Sequence, residues 1–211
     1  MEIHFIDEIG STHVWLCNAV KNGDITKPFA LYAKTQNDGI GSRGNAWQGY
    51  EGNLFLSFAL PSCLLPDDLP HASTSIYFSQ LLVEFLRQRG SLVQLKWPND
   101  FYLNDKKIGG TITAKIKDSF VISIGMNLKY ADKEYGALDI EITPHELVDN
   151  FIPSLKVFPS WKQIFSKYKL EFQFSQKFCV HVDDKLVSLA HAKLHPDGSI
   201  EIEGKKVYSS R

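Results

Sequence analysis

This 211-residue sequence predicts an α+β domain followed by a small all-β appendage, and three observations lead there. Short apolar or alternating runs of strand length recur, as in EIHFID, FALYAK and NLFLSFAL. Segments with helical spacing fall between them, such as SIYFSQLLVEFLRQRG. From Lys177 the helical spacing stops, and KFCVHV, KLVSLAHAKLH and SIEIEGKKVYSS alternate between DD, HPDG and EG turns.

Taken in order, EIHFID reads as a strand, and Ser11 and Thr12 stand where a helix needs its N-cap. HVWLCNAVKNG then reads as a helix stopped by Gly23. FALYAK is a strand, a glycine-rich run follows, and NLFLSFAL is apolar enough for a strand buried on both faces. The next helix places Ile76, Leu81, Leu82, Phe85 and Leu86 on one stripe and stops at Gly90. LVQLKW is a strand broken by Pro98, and FYLNDKKIGGTITAKI reads as a hairpin turning at Asn104-Asp105. SFVISIGMNL is another strand, while PHELVDNF and SWKQIFSKYKLEFQF carry helical patterns.

A hydrophobic fraction of 44% and a charged fraction of 22% are those of an ordinary soluble domain, long enough to bury a core. The formal net charge of -1 gives no field for nucleic acid or an anionic membrane. Cys17, Cys63 and Cys179 are odd in number and lack C-x-x-C spacing, which argues against a disulfide framework or a structural zinc. The N-terminus is not a signal peptide and no apolar run spans a membrane, so the expectation is a cytoplasmic protein.

Two stretches stand out. GIGSRG, Gly39 to Gly44, has the spacing of a dinucleotide loop, but it leads into NAWQGYEG and a strand rather than a helix, so that reading fails. A kinase loop fails for want of V-A-I-K, H-R-D and D-F-G segments, and a plain surface loop stays open. KWPND, Lys96 to Asp100, gathers a lysine, an amide and a carboxylate where a strand ends. Gly109-Gly110 downstream would let a ligand approach the backbone; a simple turn is the alternative. Only His191 and His195 among the histidines have H-x-x-x-H spacing, His195-Pro196-Asp197-Gly198 reads as a hairpin turn, and no G-x-S-x-G elbow is present. Trp161 and Tyr168 have core-like helical spacing.

Together these stretches resemble the biotin protein ligases. GIGSRGNAW is similar to that family's GRGRxGRxW loop, NLFLS to its N-L-Y-x-S strand and KWPNDFYLNDKKIGG to its KWPNDI/LYLxxxKxxGI signature. IGMNL resembles its G-I-N strand, and Ser11-Thr12-His13 falls at its Ser-Thr-Asn. The matches keep order and spacing from about residue 7 to residue 128. The resemblance implies a catalytic domain over residues 1–174, with a mixed or antiparallel central sheet like that of class II aminoacyl-tRNA synthetases. Residues 175–211 would form a small SH3-like domain.

It also implies an activity: MgATP and biotin give biotinyl-5'-AMP, and the biotin passes to one lysine of a biotin carboxyl carrier domain of acetyl-CoA carboxylase. Lys107, Asp100 and Arg43 would be catalytic, with Asp100 as the Mg²⁺ ligand. Ser11, Thr12, His13, Gln36, Gly39, Gly41, Ser42, Trp47, Lys107, Gly110 and Gly125 would bind biotin. Arg43, Lys96, Asn99, Lys107, Asn127 and Tyr168 would bind ATP and the adenylate. No DNA-reading domain precedes the first strand, so the expectation is a ligase without repressor activity, monomeric or weakly dimeric. The family's three loop arginines fall at Ile40, Ser42 and Asn45, while Arg43 sits at a variable position, which predicts leaky retention of the adenylate or compensation by Arg43. A lipoate-protein ligase, whose R-R-x-x-G-G-G loop is missing, and a non-catalytic biotin sensor are the competing readings.

Overall fold

A computed structural model describes residues 1–41, 45–47, 50–183 and 185–209. Arg43 and Ser42 therefore lie outside the described residues.

Helix α1 (Thr12–Asn22) begins and ends where its sequence dictates. The Ser11 side chain accepts from the Val14 N–H, and Gly23, at φ 89°, turns its N–H back to the Ala19 and Val20 carbonyls. Helix α2 (Thr74–Arg87) buries Ile76, Leu82, Phe85 and Leu86, as the stripe requires, and also everything from Thr74 to Gln80. Helices α3 (Pro144–Ser154) and α4 (Trp161–Ser175) both open with capping boxes, Thr143 with Glu146 and Ser160 with Gln163.

A seven-stranded sheet forms the centre. Its strands are β1 (Glu2–Ile9), β2 (Phe29–Gln36), β5 (Leu54–Pro61), β6 (Gln94–Lys96), β7 (Asp100–Leu103), β8 (Lys106–Ile116) and β9 (Ser119–Met126), in spatial order β1-β2-β5-β9-β8-β7-β6. Only β1 and β2 run parallel; the other pairings are antiparallel, so the expected mixed sheet is present. The β7–β8 hairpin turns at Asn104-Asp105, with Leu103 opposite Lys106. The glycine run carries a second hairpin, from β3 (Gly39–Ile40) to β4 (Ala46–Trp47), and among the described residues no helix opens there.

The side-chain period of two divides the central strands between two layers. Leu54, Leu56, Phe58 and Leu60 of β5, with Phe120, Ile122, Ile124 and Met126 of β9, join α2, α3 and α4 in the main core. Their neighbours on the opposite face meet α1, where Leu16, Val20, Phe29, Leu31, Ala59 and Val121 make a much smaller core.

The C-terminal strands form two small sheets. One holds β10 (Cys179–Val182) and β11 (Lys185–Ser188); the other holds β12 (Lys193–Leu194), β13 (Ile200–Ile202) and β14 (Lys205–Val207). Val180, Leu189, Ile200 and Val207 continue the main core rather than building a separate one. The HPDG segment is a turn, closed by Gly198 N–H to the His195 carbonyl at 2.9 Å, and it is also a plug. Its carbonyls accept from the indole N–H groups of Trp97 (on Gly198, 2.9 Å) and Trp161 (on Pro196, 2.8 Å). No helix among the described residues is long and apolar enough to cross a membrane.

Candidate active site

The cleft lies on the α1 face of the sheet, under the β3–β4 hairpin, and encloses about 490 Å³ counting its open mouth. Three segments that the sequence singled out converge there: the N-terminus of α1, the strand end at KWPND and the glycine hairpin.

One end is charged. Lys107 Nζ sits 2.6 Å from Asp100 Oδ1, and Lys96 Nζ is 4.0 Å from the other carboxylate oxygen. The β7–β8 hairpin creates this pairing, since Asp100 opposes Gly110 and Tyr102 opposes Lys107. Lys96 also lies 5.6 Å from the centre of the Tyr102 ring and 5.4 Å from that of Phe178, half-buried on the wall of a wider neighbouring cleft. Asn99 fixes the strand end by donating its side-chain amide to the Thr111 carbonyl, while Thr111 N–H returns to Asn99 O at 2.9 Å. The Trp97–Pro98 peptide is cis, and the Trp97 ring is fully buried.

The opposite end is uncharged and built from hydroxyls. Thr12 N–H and Thr12 Oγ both contact Gln36 Oε1, at 2.8 and 3.0 Å. Ser57 Oγ lies 2.9 Å from Thr12 Oγ and 2.7 Å from Ser123 Oγ. His13 Nδ1 is 2.8 Å from Ser123 Oγ, and Cys17 Sγ is 3.6 Å from His13 Nε2. Burial lowers the His13 pKa below its ordinary value and pushes the Cys17 thiol up to about 11, so the ring is neutral and the thiol protonated at pH 7.

Glycines decide the shape between the two ends. A Cβ on Gly125 would stand 2.8 Å from the Trp47 indole nitrogen, so only glycine lets that ring lie on β9. The Trp47 Nε1 hydrogen is buried and has no partner among the described residues. Gly110 leaves room for Asp100, whose Oδ1 would be 3.3 Å from an added Cβ. The Gly109 gap is filled by the neighbouring strand, the Gly125 carbonyl standing 2.4 Å from where a Cβ would be, so that glycine serves strand pairing and not ligand approach.

Of the residues expected from the sequence, Ser11, Thr12, His13, Gln36, Gly41, Trp47, Asn99, Asp100, Lys107, Gly110 and Gly125 line this cleft. Gly39 does not; its missing side chain accommodates the Trp47 carbonyl across the hairpin. The Gly41 N–H closes on Asn45 O at 2.7 Å and is committed within the hairpin. Asn127 belongs to an adjoining hollow with Trp47, Tyr50 and Tyr135, and its amide is tied to Asn53 and the Gly136 carbonyl. Tyr168 is corrected outright: it is fully buried in α4, so it has no face on which a nucleotide base could stack.

Sequence reasoning missed Ser57 and Ser123, which face each other across β5 and β9. The signal was a lone serine inside each of two apolar strands, LFLSFAL and FVISIGM. It also gave Asn53 no role, although this fully buried amide accepts from the N–H groups of Leu128, Lys129 and Tyr130 at 3.1, 3.2 and 3.1 Å and pins the loop after β9. Among the described residues no cluster of three metal-ligating side chains exists, so Asp100 is the one carboxylate at the charged end.

Comparison with known proteins places this architecture. The biotin acetyl coenzyme A carboxylase synthetase of Helicobacter pylori, solved with bound biotinylated ATP, superposes with a TM-score of 0.92 at 39% identity, covering 98% of this chain and 99% of that one. The biotin protein ligase of Aquifex aeolicus, in complex with biotin and ATP, has the same fold at 21% identity, with a TM-score of 0.74 over 98% of this chain and 94% of that one. The bifunctional ligase/repressor BirA of Escherichia coli is 32% identical over 128 residues, which are 58% of this chain and 39% of that protein. The chain thus spans about two fifths of the length of that relative. With residues 6–129 matching the biotin/lipoate A/B protein ligase family and the Helicobacter likeness running almost end to end, the chain belongs to that family.

Proposed function

We propose that this protein activates biotin with ATP to biotinyl-5'-AMP and transfers it to a lysine of a biotin carboxyl carrier domain, that of acetyl-CoA carboxylase, in the cytoplasm. The observation that carries the reading is a single cleft with a cationic end at Lys107 and an uncharged, hydroxyl-lined end at Gln36. Such a cleft suits a substrate with a neutral polar head and a carboxylate tail. Residues 1–174 are the catalytic domain in this reading, and residues 175–211 are an SH3-like domain that closes on it.

Adenylation joins a carboxylate oxygen to the α-phosphorus and expels pyrophosphate, so two anions must be held together. Lys107 supplies the charge that offsets their repulsion and Asp100 orients it. Asp100 would be the carboxylate that holds a Mg²⁺ ion in this cleft, and the ion would supply neutralisation of phosphate charge. Trp47 covers the middle of the cleft and keeps water from the reactive anhydride. Transfer then needs the carrier lysine to reach the acyl carbon as a free amine, with AMP leaving.

The test is intact mass spectrometry of an unbiotinylated carrier domain incubated with the protein, biotin and MgATP, beside an inert bystander protein. One added biotin on the carrier is the expected result. Biotin on the bystander as well would mean that Ile40, Ser42 and Asn45 retain the adenylate poorly. A bound biotin with no transfer to either protein would turn the reading toward a sensor.

A further inference from the structure

Lys96 stands on the wall of the wider neighbouring cleft, and two aromatic rings help to place it there. Its side chain is only 12% exposed, and its Nζ lies 5.6 Å from the centre of the Tyr102 ring and 5.4 Å from that of Phe178. Both distances are within reach of the attraction between a cation and a ring face. The nearer carboxylate oxygen of Asp100 is 4.0 Å away, too far for a direct hydrogen bond. The rings therefore share the placing of this ammonium with Asp100. They are themselves fixed: Tyr102 and Phe178 pack at 4.7 Å, and Phe174 closes the group at 4.9 Å from Phe178 and 6.1 Å from Tyr102. Phe178 comes from the junction between α4 and β10. Its N–H donates to the Ser175 carbonyl at 3.0 Å and its own carbonyl accepts from the Leu189 N–H at 2.9 Å, so its backbone is held on both sides. Three residues earlier, Ser175 Oγ accepts from the Trp97 N–H at 2.8 Å. The junction thus grips two consecutive residues of the KWPND strand end, Trp97 by its backbone and Lys96 by a ring face.

We propose that Phe178 is a positioning residue for the nucleotide, its ring holding the Lys96 ammonium where the phosphate chain of ATP lies. Lys107 lines both the narrow cleft under the glycine hairpin and the wide one, which encloses about 1610 Å³ counting its open mouth. Lys96 lines the wide one alone. A cation placed there acts on the ligand outside the narrow cleft, so biotin does not sense the ring and ATP does. A residue beyond α4 in this way sets a charge on the central sheet. The nucleotide half of this proposal rests on the adenylation reading above; the placing of Lys96 by the ring does not.

Biotin-dependent ATP–pyrophosphate exchange gives the first arm of the test. Phe178→Leu keeps an apolar side chain but removes the ring, and should raise the KM for ATP about fivefold with the KM for biotin changed less than about twofold. Phe178→Tyr keeps the ring and should restore most of that loss. In a Lys96→Met background, which keeps the stem and removes the charge, Phe178→Leu should add less than about twofold, because the ring then has no cation to hold. Equal rises in both KM values, or an undiminished effect of Phe178→Leu on top of Lys96→Met, would reduce Phe178 to a packing residue. The second arm needs no turnover. In ¹H–¹³C spectra of protein labelled at lysine carbon, the Lys96 ε-methylene protons are assigned by their loss in Lys96→Met. In the wild-type protein they should stand upfield of those of the exposed lysines, and they should move downfield in Phe178→Leu but not in Phe178→Tyr. An unshifted wild-type signal overturns the placing of Lys96 whatever the substrate. A shifted signal in a wild-type protein that shows no exchange would sink the nucleotide half and the adenylation reading with it.

Discussion

The two faces of the central sheet are built for different ends, and β5 displays both within eight residues. Leu54, Leu56, Phe58 and Leu60 point into a continuous core with three helices and the C-terminal strands. Phe55, Ser57 and Ala59 point the other way, where the core beneath α1 is small and the cleft takes its place. Burial of apolar area on the first face stabilises the strand, and the second face therefore tolerates serines, glycines and an open cavity. Stability and chemistry should come apart under mutation accordingly.

The sharpest separation is expected from Phe58→Ala. Phe58 is fully buried and edge-on to Phe78 at 5.3 Å, so truncation should cost about 3–5 kcal/mol in urea unfolding while the folded fraction keeps its KM for biotin. Lys107→Ala is the mirror experiment. It should slow biotin-dependent ATP–pyrophosphate exchange by roughly 10²–10³-fold, the scale for losing a charge-stabilising donor, and leave the unfolding midpoint in place. If Lys107→Ala unfolds the protein instead, the division between faces is wrong. Gly125→Ala lies between these extremes. Its methyl would meet the Trp47 indole at 2.8 Å, which should weaken biotin binding by about 1–3 kcal/mol in calorimetry.

The remaining two tests ask whether the C-terminal strands belong to the stabilising side. Trp161→Phe removes the N–H held by the Pro196 carbonyl at 2.8 Å and should cost about 1 kcal/mol of stability. The smallest effect is expected from acid. Burial raises the Asp197 pKa, but hydrogen bonds from Lys206 and Ser199 outweigh it and bring the carboxyl down to about 2, below its ordinary 3.8. A depressed folded-state pKa contributes stability that is present above the unfolded value and lost as pH falls toward 2. Asp197→Asn should flatten that acid limb between pH 4 and pH 2 in thermal melts.

Much of this plan was legible in the sequence because local rules governed it. Ser11 and Gly23 bracket α1 by capping, the Asn104-Asp105 turn sets the hairpin that brings Lys107 to Asp100, and KWPND reads through its unusual residue types. What escaped depends on register between distant strands. Nothing near Ser57 says that it will face Ser123, and nothing near Asn53 says that three amides of the loop after β9 will converge on it. Tyr168 misled for a different reason: its helical spacing correctly placed it in the core, and the nucleotide role implied by resemblance conflicts with that burial.

The Trp97 indole, on the strand end that carries Asn99 and Asp100, closes on a carbonyl 101 residues further along the chain. During synthesis that partner leaves the ribosome several seconds after Trp97, at roughly 5–20 residues per second. Until then the strand end that carries Asn99 and Asp100 lacks its indole hydrogen bond. A turn between two C-terminal strands thus completes the packing of a strand end made about a hundred residues earlier.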